Sequence, residues 1–241
     1  MPKVSVIIPG AGAGKRFGRK ENKIFERLGN QPVFIRTLEA FTSHKDVCQV
    51  LMVVSAADME TVRERFGADL GFMSVELVEG GPTRSDSVRG ALAKVAAEAE
   101  MVCVHDAVRP CIAQPWIDAV FAAAADSGAA ILAYPVHGTL KTLTAAQTVE
   151  RTLPRQVVWE AQTPQVFRKD ILLSAYSAGT EATDDAALVE AAGHPVRVVV
   201  GDPRNIKITT PHDLAVAAAV IETLPKPNRL HGGHPFEEAR W

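Results

Sequence analysis

The stretch VSVIIPGAGAGKRFG, residues 4–18, determines the fold class. Its β-branched, apolar start predicts a buried strand, which breaks directly into glycines and then into cations. Glycines let backbone N–H groups crowd around anionic oxygens without a Cβ in the way, and the cations add positive charge. The residues that supply these properties are Gly10, Gly12, Gly14, Lys15, Arg16 and, a little further on, Lys23. The stretch therefore predicts a strand followed by a phosphate-binding loop, and a triphosphate is the expected ligand.

The loop fails two well-known nucleotide motifs. The dinucleotide fingerprint G-x-G-x-x-G requires its third glycine at position 15 or 17, where Lys15 and Phe17 stand. The Walker A pattern requires a glycine where Pro9 stands and a hydroxyl where Arg16 stands. A NAD-binding oxidoreductase is therefore disfavoured. A plain turn and a solvated surface loop are the structural alternatives to phosphate binding.

Further β-branched runs alternate with helical patterns along the chain. They lie at 48–55, 74–79, 101–105, 129–136 and 196–200. Several are apolar at nearly every residue, which is typical of strands buried on both faces of a parallel sheet. Capping signals at Thr83 and Thr210 start two of the helices between them, and apolar spacing carries the first helix on to Ala96. This alternation predicts an α/β fold, a Rossmann-like, mostly parallel sheet flanked by helices.

Two segments break this rhythm. Residues 137–165 are Thr-rich and alternate without a helical period, which predicts an extended β-arm inserted into the domain at about 137–160. Residues 225–241 contain prolines and glycines but no apolar face, so we expect a mobile tail there. We assign residues 1–224 to a single domain, because no linker divides them.

Composition excludes several classes of protein. The 241 residues are 47% hydrophobic with a formal net charge of −2, which indicates a globular protein and disfavours a duplex nucleic acid as partner. No apolar run reaches the length of a membrane span, and the N-terminus does not resemble a signal peptide, so we expect a cytoplasmic protein. Cys48, Cys103 and Cys111 form no C-x-x-C pair and are expected to be ordinary thiols in a reducing compartment. The histidines share no ligand spacing with cysteines or carboxylates, so no structural zinc is expected.

Together with six later segments, the loop resembles a known family. These segments lie at 79–92, 104–111, 135–141, 159–167, 183–190 and 201–214. In this order they are similar to the 2-C-methyl-D-erythritol 4-phosphate cytidylyltransferases of the non-mevalonate isoprenoid pathway. These nucleotidyltransferases carry a P-x-A-G-x-G-x-R loop followed by a lysine. The resemblance covers residues 4–223 and implies that residues 1–224 are one nucleotidyltransferase domain.

Two departures and one competitor accompany this resemblance. The family usually has alanine at the position of Gly10, and it often has Arg or Asp in the stretch where this chain has His137 and Gly138. The first change should loosen the turn while keeping its donors, and the second could alter contacts with the acceptor. The ribitol 5-phosphate cytidylyltransferases share the loop and parts of two later segments, so they are the alternative assignment.

The resemblance implies transfer of CMP from CTP to the acceptor phosphate, with Mg²⁺ as cofactor. The acceptor phosphate is already a nucleophile, so the protein must position two polyanions and stabilise the charge that develops. By resemblance, Arg16 and Lys23 stabilise charge at the α-phosphorus. Lys207 and Arg155 hold the acceptor phosphate, and Arg155 does so in the neighbouring subunit's site of a homodimer formed through the arm. A surface charge is the structural alternative for Arg155.

The remaining candidates bind substrate. By resemblance, the loop residues cradle the triphosphate, a second segment reads the cytosine, and hydroxyl groups contact the acceptor. In that order they are Gly10, Ala11, Gly12, Gly14 and Lys15; Gly80, Gly81 and Ser87; and Thr139, Thr163 and Thr183. From the sequence alone, a turn or a cap is the favoured role for each threonine. Asp106 follows a buried strand and could contact the acceptor, the ribose or a hydrated Mg²⁺, and Arg109 could pair with it.

Overall fold

The computed structural model describes residues 1–12, 17, 22–178 and 182–226. Of the candidates named above, Gly14, Lys15 and Arg16 lie outside the described residues, as does residue 227 onward in the predicted tail. The candidates that remain can be placed in the structure.

Strands and helices alternate along the described chain. The strands are β1 (Val4–Pro9), β2 (Arg27–Leu28), β3 (Gln31–Pro32), β4 (Val47–Val54), β5 (Val75–Glu79), β6 (Met101–Val104), β7 (Ala129–Pro135), β8 (Lys141–Leu143), β9 (Val149–Thr152), β10 (Trp159–Arg168) and β11 (Arg197–Val200). The helices are α1 (Val33–Thr42), α2 (Ala56–Phe72), α3 (Arg84–Leu92), α4 (Gln114–Ser127), α5 (Lys169–Ser177), α6 (Asp185–Ala191) and α7 (Pro211–Val220). Short 3₁₀ turns lie at Lys23–Phe25, Arg155–Val157 and Ile221–Thr223.

Seven of the described strands form one sheet in the order β11-β7-β10-β6-β1-β4-β5. Neighbours pair in parallel except around β10, which is antiparallel to both β6 and β7. All six strands predicted from sequence are present in this sheet. The prediction of a mostly parallel α/β sheet flanked by helices is confirmed.

The central strand β1 shows why the chain folds in this way. Val6 and Ile8 pack into the apolar layer on one face of the sheet, and Ile7 packs into the layer on the other face. All three side chains are fully buried. A strand buried on both faces requires apolar residues at consecutive positions, and that is the pattern residues 4–8 carry.

Sequence patterning does not predict β10. The predicted extended segment ran on to residue 165, but from Trp159 onward the chain is a strand in the middle of the main sheet. Its buried stretch includes Gln162, Thr163 and Gln165, whose polar side chains obscure the strand pattern. These side chains are hydrogen-bonded inside the protein, as buried polar groups require. The arm itself is the short hairpin β8–β9, in which Lys141 pairs with Thr152.

The capping signals predicted at two helices are confirmed, and both are capping boxes. The Thr83 hydroxyl accepts from the Asp86 N–H while the Asp86 carboxylate accepts from the Thr83 N–H, and Thr210 does the same with Asp213. The predicted continuation of α3 to Ala96 is wrong, because the helix ends at Leu92. The Gln49 side chain holds the chain beyond that point, accepting from the Ala96 N–H at 2.8 Å and donating to the Lys94 carbonyl at 3.0 Å.

The cysteines and the helices bear on the expected class of protein. Cys103 and Cys111 are buried, Cys48 is half-buried, and all three thiols are free, as expected. Among the residues described, no helix is both long and apolar enough to cross a bilayer.

Candidate active site

A cavity of about 340 Å³ opens at the carboxyl edge of the sheet. It is lined by the end of β1 and the residues after it, by the start of α3, and by residues that follow β6. The lining residues used below are Gly10, Ala11, Gly12, Lys23, Gly81, Arg84, Ser87, Asp106 and Lys207. Open α/β sheets bind ligands at this edge, and the volume lies in the range of small-molecule sites.

Gly10 lines this cavity, and Gly80 packs closely behind its wall. A Cβ on Gly80 would lie 2.5 Å from the Ala11 Cβ, and a Cβ on Gly10 would lie 2.7 Å from the Met52 Cε. The Gly10 N–H donates to the Val53 carbonyl at 2.7 Å, so this donor is used within the sheet. The absence of a side chain at Gly80 lets the loop after β1 meet the segment after β5, and the absence of one at Gly10 lets that loop pack closely against β4.

Ser87 shapes the segment that was predicted to read the cytosine. Its hydroxyl donates to the Thr83 carbonyl at 2.9 Å and accepts from the Gly81 N–H at 3.1 Å. A Cβ on Gly81 would lie 2.5 Å from the Asp86 Cβ, so the turn closes tightly around the helix start. Ser87 and Gly81 both line the cavity, whereas Gly80 lies directly behind its wall.

Lys23 reaches the cavity from a turn that Asn22 anchors. The Asn22 amide donates to the Gly10 carbonyl at 3.2 Å and to the Asp58 carboxylate at 2.9 Å, while its oxygen accepts from the Ile24 N–H. One side chain therefore ties the Lys23 turn to the end of β1 and to helix α2. The geometry fixes the backbone from which the Lys23 ammonium extends.

A second cavity of about 220 Å³ adjoins the first. The two share Arg84, Asp106 and Lys207 in their walls, and the second also contains Thr163 and Thr183. A ligand in each cavity would meet the other beside the same three charged side chains. This is the arrangement needed to bring two anionic substrates together.

Asp106 holds the cations at this junction in place. Its carboxylate lies 2.8 Å from the Lys207 Nζ, 3.4 Å from the Arg109 Nε and 3.6 Å from the Arg84 Nε. Burial alone would raise the pKa of the Asp106 carboxyl, but Lys207, Arg84 and Arg109 outweigh it and hold that pKa far below its usual range. Asp106 is therefore ionised, and the expected pairing with Arg109 is present.

Arg84 is a functional candidate that the sequence interpretation missed. Its guanidinium bonds the fully buried Asp185 carboxylate at 2.7 Å, and the Tyr176 hydroxyl donates to the same carboxylate. Burial would lower the pKa of Arg84, but Asp185 and Asp106 raise it, so the side chain stays charged. The signal was its position directly after the capping residue Thr83, where a side chain can face a ligand at the helix start.

Thr139 and Arg155 flank the β8–β9 hairpin, one before β8 and one in the 3₁₀ turn after β9, and line neither of these two cavities. Both are exposed, and the Arg155 guanidinium donates to the His137 carbonyl at 3.0 Å. Apolar side chains with large exposed fractions accompany them on and beside the hairpin: Leu143, Val149, Val157 and Trp159.

The described residues do not form a protein-held metal site. Among them, no group of three or more His, Cys, Asp or Glu side chains is placed to hold an ion. The carboxylate in the wall shared by the two cavities, Asp106, is already surrounded by three cations. This donor set does not fit a divalent cation bound by protein ligands alone.

These features together identify a class of protein. A mostly parallel α/β sheet with a cavity at its carboxyl edge, joined to a second cavity beside Arg84, Asp106 and Lys207, suits a nucleotidyltransferase. The IspD family, 2-C-methyl-D-erythritol 4-phosphate cytidylyltransferase, matches residues 4–223. The chain belongs to this family.

Individual relatives agree with this assignment. A protein from Rhodopirellula baltica named 2-C-methyl-D-erythritol 4-phosphate cytidylyltransferase is 43% identical over 231 residues, covering 90% of this chain and 94% of the relative. A protein of the same name from Alkaliphilus oremlandii is 39% identical, covering 92% and 96%. Among solved structures, the Thermus thermophilus protein of this name superposes with a TM-score of 0.76 at 33% identity, covering 91% of this chain and 99% of the other.

Proposed function

We propose that this protein transfers CMP from CTP to 2-C-methyl-D-erythritol 4-phosphate in isoprenoid precursor biosynthesis. The products are 4-diphosphocytidyl-2-C-methyl-D-erythritol and pyrophosphate. The observation that carries the proposal is the junction of the two cavities at Arg84, Asp106 and Lys207, in a chain that belongs to the IspD family.

The first cavity takes CTP. An oxygen of the acceptor phosphate attacks the α-phosphorus, a new P–O bond forms, and the bond to the β-phosphate oxygen breaks with departure of pyrophosphate. Lys23 approaches the triphosphate from the anchored turn, and Arg16 of the glycine loop is its proposed partner. Together they stabilise the negative charge that builds on the transferred group.

The second cavity takes the acceptor. Lys207, which is paired with Asp106 at 2.8 Å, is the cation positioned for the acceptor phosphate. Two anions repel each other, so a clustered positive charge between the cavities lowers the free energy needed to bring them into contact. Lys207 would exchange part of its contact with Asp106 for the phosphate when substrate arrives.

The acceptor site is completed by a second copy of the chain, so the working unit is a homodimer. Thr139 precedes the β8–β9 hairpin and Arg155 lies in the 3₁₀ turn that follows it. Val149 on the hairpin exposes 60% of its surface and Val157 in that turn exposes 76%. Exposed apolar side chains clustered on an inserted arm favour burial against another protein surface. Arg155 would then contact the acceptor phosphate in the partner's cavity.

Mg²⁺ enters with the nucleotide and is held by triphosphate oxygens and water, in keeping with the sparse protein donors. The cellular site is the cytoplasm, a compartment suited to three free thiols.

A direct assay tests the proposed reaction. Pyrophosphate release from CTP should require 2-C-methyl-D-erythritol 4-phosphate, and mass spectrometry should detect the cytidine diphosphate adduct. Ribitol 5-phosphate, tested at the same concentration, should react at least tenfold more slowly in kcat/KM, as loss of matched polar contacts implies. A preference for ribitol 5-phosphate would overturn the proposed acceptor, and pyrophosphate release from CTP without any acceptor would overturn the transfer reaction.

A further inference from the structure

A fully buried histidine joins two walls of the acceptor cavity. The His105 Nε2 lies 3.0 Å from the Arg109 carbonyl, and its Nδ1 lies 3.1 Å from the Thr163 Oγ1. The ring also packs against Phe41, with centroids 4.9 Å apart. None of the steps proposed above uses this side chain.

The hydrogen bonds fix the tautomer of His105. A carbonyl oxygen only accepts, so the nitrogen facing Arg109 must carry the proton. The nitrogen facing Thr163 is then an acceptor as long as the ring is neutral. Burial lowers the pKa of His105 to about 4, although Asp106 and the Arg109 carbonyl raise it while the Arg109 and Lys207 charges lower it further.

The tautomer in turn fixes the direction of the Thr163 hydroxyl. The Asp106 N–H donates to the Thr163 Oγ1 at 3.2 Å, so this oxygen already accepts one hydrogen bond. Its proton must point to His105, which needs a donor. The chain of donation runs from the Asp106 N–H to Thr163, from Thr163 to His105, and from His105 to Arg109.

We propose that His105 is a positioning residue for the acceptor cavity, which it builds by tying the Asp106–Arg109 turn to Thr163 and by accepting the hydrogen bond that the Thr163 hydroxyl donates. Thr163 then offers the acceptor a lone pair and no proton. It recognises a hydroxyl of a polyol chain rather than a phosphate oxygen, since a phosphate dianion has no proton to donate. The phosphate is left to the cations.

This inference rests on the proposed function for the identity of the acceptor, but its structural part does not. Nitrogen-15 spectra of protein labelled at histidine report the tautomer in the absence of any substrate. The His105 signal is the one that disappears in His105→Asn. We expect one protonated and one unprotonated ring nitrogen, with the proton on Nε2, from pH 8 down to pH 5. A proton on Nδ1, or a cationic ring in this range, would overturn the inference even if the transferase activity is confirmed.

Two half-replacements separate the two hydrogen bonds of His105. Asparagine places an acceptor oxygen where Nδ1 lies, and glutamine places a donor nitrogen where Nε2 lies. With the acceptor fixed as 2-C-methyl-D-erythritol 4-phosphate, His105→Gln should raise the acceptor KM about tenfold, the cost of one lost hydrogen bond. In His105→Asn, which keeps an acceptor for the Thr163 hydroxyl, the acceptor KM should stay within about threefold of the parental value. The KM for CTP should be unchanged in both variants.

Controls exclude a general loss of structure. His212, which is exposed at the start of α7, provides the matched substitution His212→Gln. Thr163→Val should raise the acceptor KM as His105→Gln does, and the double variant should add little to either, because both remove the same contact. Equal effects of asparagine and glutamine at His105, or a parallel rise in the CTP KM, would overturn the positioning role.

Discussion

The cavity junction and the arm are built in opposite ways. At the junction, Asp106, Arg109 and Thr163 are buried and joined by side-chain and backbone hydrogen bonds within one chain. On the arm, the hairpin strand β9 is exposed along its whole length, and Arg155 contacts a backbone carbonyl of its own segment.

This contrast shows where each part of the site obtains its geometry. The junction is set by packing inside one chain, so its charges are in place before substrate arrives. The arm has a defined fold, but the described part of its own chain leaves its apolar side chains Val149 and Val157 exposed. In the proposed homodimer its residues act in a second copy, so the two regions should respond differently to substitution.

The largest effect is expected at Lys23. Lys23→Ala removes a cation from the cavity proposed for the triphosphate, where charge would develop on the transferred phosphoryl group, and kcat should fall by about a thousandfold. Steady-state kinetics measures this, with Lys94→Ala as a control because Lys94 is exposed and outside both cavities. A near-parental kcat in Lys23→Ala would contradict the proposal that Lys23 stabilises charge on the transferred phosphoryl group.

The second-largest effect, a loss of stability, is expected at Arg84, which pairs with the buried Asp185 carboxylate. Arg84→Ala would leave the fully buried Asp185 carboxylate without its ion-pair partner. The free energy of unfolding should fall by about 3 kcal/mol, as is usual when one member of a buried pair is removed.

Urea unfolding at neutral pH provides the measurement for Arg84. Its matched control is Arg89→Ala, which removes an exposed arginine paired with Asp86 and should cost less than about 1 kcal/mol. If the two variants lose the same stability, the junction is not preorganised by buried ion pairs.

The pH dependence of stability should also distinguish the junction from the arm. The pKa of His105 in the folded chain, about 4, lies below its unfolded value, so the unfolded chain binds the extra proton first as the pH falls. This stabilisation is present above about pH 6.5 and is lost progressively toward pH 4. The stability difference between the parent and His105→Asn should therefore shrink by about 2 kcal/mol between pH 7 and pH 5.

Urea unfolding of both proteins at the two pH values tests this expectation for His105. A difference that stays constant with pH would mean that the ring is not held neutral in the folded protein.

The smallest effect on folding is expected on the arm. Val149→Ser and Val157→Ser change exposed side chains, so the free energy of unfolding of the isolated chain should change by less than about 0.5 kcal/mol. Association should nevertheless weaken by about tenfold or more, because apolar area is lost from the proposed dimer contact. Sedimentation velocity measures the latter. If the two variants associate as strongly as the parent, the arm does not form the proposed dimer interface.

Much of the architecture could be predicted because local sequence determines it. Residues 4–8 are apolar at nearly every position, and the structure buries them on both faces of the sheet. The capping boxes at Thr83 and Thr210 were likewise local signals. The convergence of Asp106 with loop residues followed from the rule that parallel strands end at one edge.

The remainder depends on contacts between distant parts of the chain. β10 carries buried Thr163 and Gln165, whose side-chain partners include His105 and Asp184. These partners lie 58 and 19 residues away in sequence, so patterning within a short window cannot reveal that the polar side chains are satisfied. Arg84 was missed for a related reason, because the capping box already accounted for its segment.

The central claim is that the arm of one chain completes the site of its partner. The most direct test is a mixed dimer of Lys23→Ala and Arg155→Ala, coexpressed with two affinity tags and purified through both. If the arm completes the partner's site, one site of the mixed dimer carries both substitutions and the other carries neither. Activity should then return to about half of the parental value per dimer, although each variant alone is nearly inactive. A mixed dimer no more active than the average of the two parent variants would show that Arg155 does not act across the dimer, and it would contradict the account.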